Sequence, residues 1–346
     1  MSTYPEPPGP GQPVYIAVPM QQKPSVLSRL FTLFQWLAFA FFVLVMITAV
    51  FMPSTLSSDP DNKLEEHYYA LSKEGTQKIA VIEIEGTIMD GKDVKKQIDK
   101  VRADDLVKAI VVRIDSPGGT VNGSDYIHHH LRRLVEEKKL PMVVSMGFLA
   151  ASGGYYSAMA CGKQENVIYA EPTTWCGSIG VMIPNYNVAD LMKRLDIKDQ
   201  TIAKGDLKGM GSPTKPMEPE EEAVFKALVD ESYARFKKIV RDGRPKMTPK
   251  QVDDVATGQV YTTPQALKLG LVDREGFIED AITRALELAS LNRDTTKVVR
   301  YHKPSGLSDI LMGASAATAA SRKSELQQLL ELATPRAYYL FAFPHE

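Results

Sequence analysis

A short stretch, residues 141–156, constrains the fold more strongly than any other part of the chain. It begins with an uncharged run, residues 141–146, whose length and β-branched content predict a buried strand. Small residues follow, and Ser152-Gly153-Gly154 then opens a helix. This order of elements lifts a hydroxyl onto a tight turn beside the N–H groups of a helix start, as a nucleophile requires. A serine that only caps the helix is the alternative interpretation.

Strand and helix patterns alternate through the body of the chain. Strands are predicted at residues 78–86, 109–114, 141–146 and 166–170, and helices at 94–107, 123–138, 188–194, 218–241, 263–269, 275–288 and 323–332. Such alternation predicts an α/β fold with parallel strands and crossover helices. No internal repeat is present, so we expect one catalytic domain.

Composition narrows the class of protein. The 346 residues are 44% hydrophobic, which is enough to bury a sizeable core. With 41 basic and 42 acidic residues the net charge is −1, and this balance argues against a nucleic-acid partner. The two cysteines, Cys161 and Cys176, lack metal-ligand spacing, so no metal site is expected. A disulfide between them stays open as an alternative outside the cytoplasm.

The N-terminal region carries the pattern of a membrane anchor. Residues 1–27 are rich in Pro, Gly and Gln and predict a disordered tail. The anchor is placed at residues 28–53, because residues 31–52 hold 22 uncharged residues and about 20 apolar residues cross a bilayer. A cleavable signal peptide has a shorter apolar region and a small-residue cleavage site, which this run lacks.

Charges around the anchor predict its orientation. Lys23 and Arg29 precede the uncharged residues 31–52, and Asp59 and Asp61 follow them, so the positive-inside rule places the tail in the cytoplasm and the main body outside. A linker at residues 54–76 then leads into the main domain, residues 77–300. The C-terminal extension, residues 301–346, ends in an unusually apolar segment for which we consider two roles: packing on a second subunit or lying in the substrate groove.

Three further loops carry residues suited to catalysis. Asp115-Ser116-Pro117-Gly118-Gly119 follows a predicted strand, where ligands bind in open α/β sheets, and its glycines allow backbone N–H groups to face an oxyanion. A second small-residue turn spans residues 176–181. The third loop, residues 203–213, holds Lys204 and Lys208. A lysine enclosed by apolar neighbours can lose its proton and act as a base for a serine.

Together, these four segments resemble the signal peptide peptidase A family of bacterial serine proteases. The resemblance covers roughly residues 79–276 and fits the short form with one catalytic unit. It implies a ClpP/crotonase-like fold with repeated β-β-α units, preceded here by one transmembrane helix. It also implies the following site: Ser152 as nucleophile, Lys208 as base, Gly119 and Gly153 as oxyanion donors, and Ser178 as the residue that orients the lysine. Lys204 falls where this loop is variable in the family.

The resemblance also implies a function. We expect a membrane-anchored serine endopeptidase that degrades cleaved signal peptides and other hydrophobic segments through an acyl-enzyme, without a cofactor. It would sit in the bacterial cytoplasmic membrane as a single-pass protein with an extracytoplasmic catalytic domain. Family members form homo-oligomers in which serine and lysine can come from adjacent protomers, and we expect the same here.

Other interpretations are weaker. A crotonase-fold acyl-CoA enzyme would need neither a Ser–Lys pair nor an anchor, and a non-catalytic membrane scaffold would not need the intact set of site residues. A Ser–His–Asp triad using Asp115 is disfavoured because no histidine lies in a comparable glycine-rich loop. His128, His129 and His130 are consecutive on a predicted helix and point in different directions, so we expect surface residues.

Overall fold

The computed structural model describes residues 35–37, 39, 64–302 and 337–340. The chain divides into two units, Met1–Pro60 and Asp61–Glu346. In the first unit, residues 35–37 and 39 are helical with exposed side chains. Among the described residues, none of the helices is both long and apolar enough to cross a membrane. The predicted tail, most of the predicted anchor and the predicted helix at 323–332 lie outside the described residues.

The second unit is built on a nine-stranded mixed sheet and a separate two-stranded sheet. The strands are β1 (Glu65–Leu71), β2 (Gln77–Glu85), β3 (Val107–Ser116), β4 (Gly118–Thr120), β5 (Met142–Ala151), β6 (Ile168–Ala170), β7 (Trp175–Gly177), β8 (Val260–Thr262), β9 (Arg274–Glu275), β10 (Thr296–His302) and β11 (Tyr338–Leu340). The large sheet has the order β1-β10-β2-β3-β5-β6-β9, and β7 pairs with both β5 and β8.

Helices connect and cover these strands. They are α1 (Lys92–Ala103), α2 (Val121–Lys138), α3 (Gly153–Ala158), α4 (Ala189–Arg194), α5 (Pro219–Gly243), α6 (Pro249–Val255), α7 (Thr263–Leu269) and α8 (Ile278–Ala289). The strands from β10 through β2, β3, β5 and β6 to β9 run parallel. This confirms the predicted α/β class with parallel strands.

The central strands form the core because they are apolar along most of their length. Residues 79–82 of β2, 109–112 of β3 and 142–146 of β5 are fully buried, as expected for parallel strands covered on both faces. Helix α8 packs against β3 and β5 with its apolar side, which includes Ile282 and Ala285. Burial of this continuous cluster is the main force that holds the unit together.

Strands β3 and β5 position the functional loops. They are parallel neighbours, and their pairing places Ser116 of β3 opposite Ala150 of β5. Because both strands end at the same edge, the loop after β3 and the turn after β5 meet there.

Several short strands were absent from the sequence analysis. Strands β4, β7, β8 and β9 have two or three residues each, too few to show a period of two. Strand β1 lies inside the segment predicted as a linker. Its largely polar sequence shows no strand pattern, so it was not predicted. In the structure it pairs antiparallel with β10 at the edge of the sheet.

Candidate active site

Ser152 stands on a sharp turn between β5 and α3. Its backbone has φ +52° and ψ −114°, an unfavourable combination for a residue other than glycine. The turn is held by two hydrogen bonds: the Ser152 N–H donates to Gly177 O at 2.7 Å, and the Tyr156 N–H donates to Ser152 O at 2.8 Å. The Ser152 side chain makes no capping hydrogen bond to the helix, so the helix-cap interpretation does not describe this serine.

Gly153 and Gly119 approach each other closely beside Ser152. A methyl group added to Gly153 would lie 2.2 Å from Ser124 Oγ and 3.2 Å from the Gly119 backbone nitrogen. Only glycine therefore fits at position 153. The backbones of Gly119 and Gly153, which belong to different loops, thus lie next to one another at the start of α3. This is the arrangement that can stabilise an oxyanion.

Hydrogen bonds within the protein hold the Gly118–Thr120 strand in place. On one side, Ile88 N–H donates to Gly118 O and Thr120 N–H donates to Ile88 O, each at 2.8 Å. The Ser116 hydroxyl donates to Gly86 O at 2.6 Å and accepts from Gly118 N–H at 3.1 Å. These contacts engage the N–H and carbonyl groups of Gly118 and the N–H group of Thr120. The N–H and carbonyl groups of Gly119 face the opposite side of the strand, where β11 pairs with it.

Ser178 lies one residue beyond the strand that pairs with the nucleophile turn. Ala151 of β5 is opposite Gly177 of β7, and the Ser178 N–H donates to Gln259 O at 2.7 Å. Ser178 is buried and has φ +51°, so it too is held on a strained turn. It lines a cavity of about 830 Å³ that also contacts Gly180, Met182 and Tyr338.

Lys208, the predicted base, is solvent-exposed within one chain. Its side chain is exposed, and its backbone N–H donates to Gly205 O at 3.0 Å. In the described part of the chain its ammonium group makes no hydrogen bond or ion pair. Lys204 is exposed as well. The structure therefore brings together Ser152, Gly153, Gly119 and Ser178, and it leaves the side chain of the predicted base, Lys208, exposed.

The C-terminal segment lies against this cluster. Strand β11 pairs antiparallel with β4, with Tyr339 opposite Gly119. Residues 337–340 thus lie against Gly118–Thr120 of the same chain. The partners of Tyr339, which include Tyr156 and Phe236, were missed by the sequence analysis because nothing local links positions so distant in the chain.

Among the three consecutive histidines, only His129 is fully exposed as predicted. His128 is half-buried, and its ring lies 5.4 Å from that of Tyr156, so the expectation of a surface residue is wrong there. Burial lowers the pKa of His128 to about 4, because the charged form is desolvated. The described residues contain no group of side chains suited to holding a metal ion.

Both cysteines are buried and free, so the structure contains no Cys161–Cys176 disulfide. Burial raises the pKa of each thiol to about 12, which makes both groups poor nucleophiles. Neither cysteine competes with Ser152 for that role.

Comparison with known proteins identifies the family. A family model described as peptidase family S49 matches residues 135–292. A putative protease from Synechocystis sp. is 38% identical over 242 residues, which cover 69% of this chain and 84% of that protein. The chain belongs to peptidase family S49. It is a serine protease of the signal peptide peptidase A type.

Other relatives of this S49 protease are longer. Protease 4 from Salmonella typhi is 33% identical over 290 residues, covering 76% of this chain and 46% of that protein. The chloroplastic serine protease SPPA from Arabidopsis thaliana is 34% identical over 231 residues, covering 66% and 33% respectively. The chain therefore spans less than half the length of either protein.

A solved structure of a ClpP1 mutant from Listeria monocytogenes also matches the S49 protease. The TM-score is 0.39 at 16% identity, with 58% of this chain and 94% of the ClpP1 chain covered.

Proposed function

We propose that this S49 protease is a membrane-anchored endopeptidase that cleaves hydrophobic peptides with Ser152 as nucleophile and Lys208 as base. One observation carries the proposal: Ser152 sits on a strained turn where the backbones of Gly119 and Gly153 approach each other closely. A buried, strained serine next to two oxyanion donors has the geometry of a covalent nucleophile. Its substrates are cleaved signal peptides and other hydrophobic segments, as the family resemblance implies.

The chemistry follows from these groups. Ser152 Oγ attacks the scissile carbonyl while Lys208 takes its proton, and the N–H groups of Gly119 and Gly153 stabilise the oxyanion. The peptide C–N bond breaks, and the proton passes from Lys208 to the leaving amine. Water, activated by Lys208, then hydrolyses the acyl-enzyme on Ser152. Loss of one oxyanion donor in such a site reduces the rate by ~10²–10³.

The base is supplied by a second copy of the chain. A lysine acts as a base only when its ammonium group is removed from water, and Lys208 is exposed in a single chain. The segment that carries it also exposes many apolar side chains: Met182, Tyr186, Val188, Leu191, Leu195, Ile197, Ile202 and Leu207. Such a surface fits an interface between protomers. The cavity beside Ser178 offers the space that an incoming lysine needs.

The anchor completes the proposal. The 22 uncharged residues at 31–52 and the charges around them favour a single membrane-spanning helix with a cytoplasmic N-terminus. This topology places the ClpP/crotonase-like catalytic unit outside the cytoplasm. A protease tethered there meets signal-peptide remnants at the membrane in which they are released.

The test compares hydrolysis of an extended hydrophobic peptide by wild type and three variants. Ser152→Ala and Lys208→Ala remove nucleophile and base, so each loses activity by a factor on the order of 10³ or more. Lys204→Ala is the matched control, because it removes an exposed lysine from the same loop, and it retains activity within a few-fold. If Lys204→Ala is inactive and Lys208→Ala is active, the base is Lys204 and the assignment of Lys208 is wrong. If Ser152→Ala keeps its activity, the proposal that Ser152 is the nucleophile is wrong.

A further inference from the structure

The loop that carries Lys208 has few supports of its own. Residues 203–213, which we call the base loop, contain three glycines, two of them with positive φ. In the described part of the chain, the backbone hydrogen bonds of residues 205–212 are turns inside the loop, such as Lys208 N–H to Gly205 O at 3.0 Å. A general base must stay within hydrogen-bond reach of the proton that it takes, so this loop needs support from outside.

Two contacts just after these turns join the loop only to a neighbouring exposed segment. Val188 N–H donates to Pro213 O at 2.8 Å, and the Thr214 hydroxyl donates to the Asp199 carboxylate. Both partners belong to residues 182–202, whose side chains are mostly exposed. Neither contact therefore fixes the base loop to the central sheet.

An ion pair joins the end of the base loop to the start of α5. Lys215 Nζ donates to Glu221 Oε1, and Glu221 Oε2 accepts the N–H group of Glu218 at 3.3 Å. Only 2% of the Glu221 side chain is exposed, against 39% of the Lys215 side chain. A nearly buried carboxylate that uses both oxygens holds its partners more firmly than an exposed pair does. A methyl group on Gly209 would lie 3.7 Å from Lys215 Cε, so the lysine stem also contacts the base loop.

Helix α5 gives this ion pair a fixed support. Phe236, in the second half of the helix, is fully buried, and Arg235 donates to both carboxylate oxygens of Asp125 at 2.7 and 2.9 Å. Asp125 also accepts the hydroxyl of Tyr156 on α3, the helix that follows the nucleophile. With 25 residues, α5 is roughly 37 Å long. Its far end is thus held beside the nucleophile helix, and its start holds the base loop.

We propose that Lys215 and Glu221 are positioning residues for the base. Their ion pair fixes the base loop on the start of α5 and so holds Lys208 where the serine of a neighbouring copy needs it. This inference rests on the proposed function, because it takes Lys208 as the base and a second copy of the chain as its recipient. Neither residue touches the substrate, and both act through Lys208.

The first measurement compares kcat and KM of wild type, Lys215→Met and Glu221→Gln on one extended hydrophobic peptide. Each substitution removes the ion pair at nearly constant side-chain volume. We expect kcat to fall by about 10- to 100-fold, because displacing a catalytic group by about 1 Å costs up to ~10² in rate. KM should stay within about threefold, because the peptide groove is unchanged. The double variant should be no slower than either single one, because both remove the same interaction.

Two further variants control for charge and folding. Lys215→Arg can keep the ion pair and is expected to retain activity within a few-fold. Lys238→Met is the matched control, because it removes an exposed pair with Asp242 from the same helix, and it should retain activity within about twofold. Unchanged kcat in Lys215→Met and Glu221→Gln, or an equal loss in Lys238→Met, would overturn the inference.

A second measurement separates positioning of the base from general damage to the fold. Mixed oligomers of Glu221→Gln and Ser152→Ala chains are expected to recover about a quarter of wild-type activity, because the second chain donates a correctly held Lys208 to an intact serine. Mixtures of Glu221→Gln and Lys208→Ala should not exceed Glu221→Gln alone, since neither chain donates such a lysine. Recovery with Lys208→Ala instead would place the effect of Glu221 on the serine side and contradict the positioning role.

The outcomes distinguish this inference from the proposed function. The reference mixture is Ser152→Ala with Lys208→Ala. If that mixture recovers activity while Glu221→Gln recovers with neither partner, or has the kcat of wild type, only this inference is wrong. If wild type cleaves no peptide, or if Ser152→Ala or Lys208→Ala alone is fully active, the proposed function itself is wrong.

Discussion

At the scale of single residues, the site depends on backbone positions that tolerate very few side chains. Ser152 is strained at φ +52°, and Gly153 has no room for a methyl group because Ser124 Oγ would lie 2.2 Å from it. The surrounding core compensates for such strain, which commonly costs about 1–3 kcal/mol per residue. The motif at residues 152–154 was recognised from the sequence because each requirement is local: a serine, then two residues without side chains.

A pair of substitutions tests the close approach of the two oxyanion donors. Gly153→Ala is expected to push α3 away from Gly119 and to lower kcat by ~10²–10³, the effect of losing one donor. Gly154→Ala is the control, since its methyl group would lie 3.0 Å from the nearest atom, Ser116 O, and needs only a small shift. Peptide hydrolysis and thermal unfolding of both variants separate catalysis from folding. Equal activities of the two variants would show that the close approach of Gly153 to Gly119 is not needed for catalysis.

At the scale of elements, a buried ion pair joins the end of α5 to the sheet. Arg244 donates to Asp273 Oδ1 at 2.7 Å and to Gly270 O at 2.8 Å. Asp273 Oδ2 accepts the N–H groups of Val167 and Ile168, each at 3.0 Å, at the start of β6. Burial alone would raise the pKa of Asp273, but Arg244 and the two backbone N–H groups outweigh it and lower the pKa below its ordinary value.

The lowered pKa of Asp273 predicts a pH dependence of stability. The carboxylate is more stable in the folded than in the unfolded chain, so its contribution is present above the ordinary pKa of 3.8. It is lost as the pH falls through the lowered value. At pH 7, Asp273→Asn is expected to reduce the free energy of unfolding by about 3 kcal/mol, because Arg244 is left buried without its partner.

Urea unfolding at pH 7 and near pH 3 measures this effect. The difference between wild type and Asp273→Asn should shrink at the lower pH. The matched control is Asp254→Asn, which breaks the exposed pair with Lys250 and should change stability little. A difference that stays constant with pH would contradict the assignment to the carboxylate charge.

At the scale of the whole molecule, the placement of Lys208 makes the assembly testable. If one copy supplies Ser152 and a neighbour supplies Lys208, two inactive variants complement each other. Mixed and re-associated Ser152→Ala and Lys208→Ala chains are expected to recover about a quarter of wild-type activity, because one interface in four joins intact partners at random mixing. Each variant mixed with itself serves as control. Verified mixed oligomers without activity, or a folded monomer with full activity, would rule out a shared site.

Local patterns in the chain decide the strand–turn–helix at Ser152, the α/β class and the positions of the main strands along the chain, because burial and period act over a few neighbouring residues. The candidate donors Gly119 and Gly153 are recognisable in this way, although their approach to each other is not. Tertiary structure alone decides that Tyr339 lies against Gly119, 220 positions away in the numbering, and that Tyr156 and Phe236 enclose it. It also decides that Lys208 faces solvent. Such contacts depend on which surfaces remain exposed once the core has folded. A local period or motif in the sequence contains no information about those surfaces.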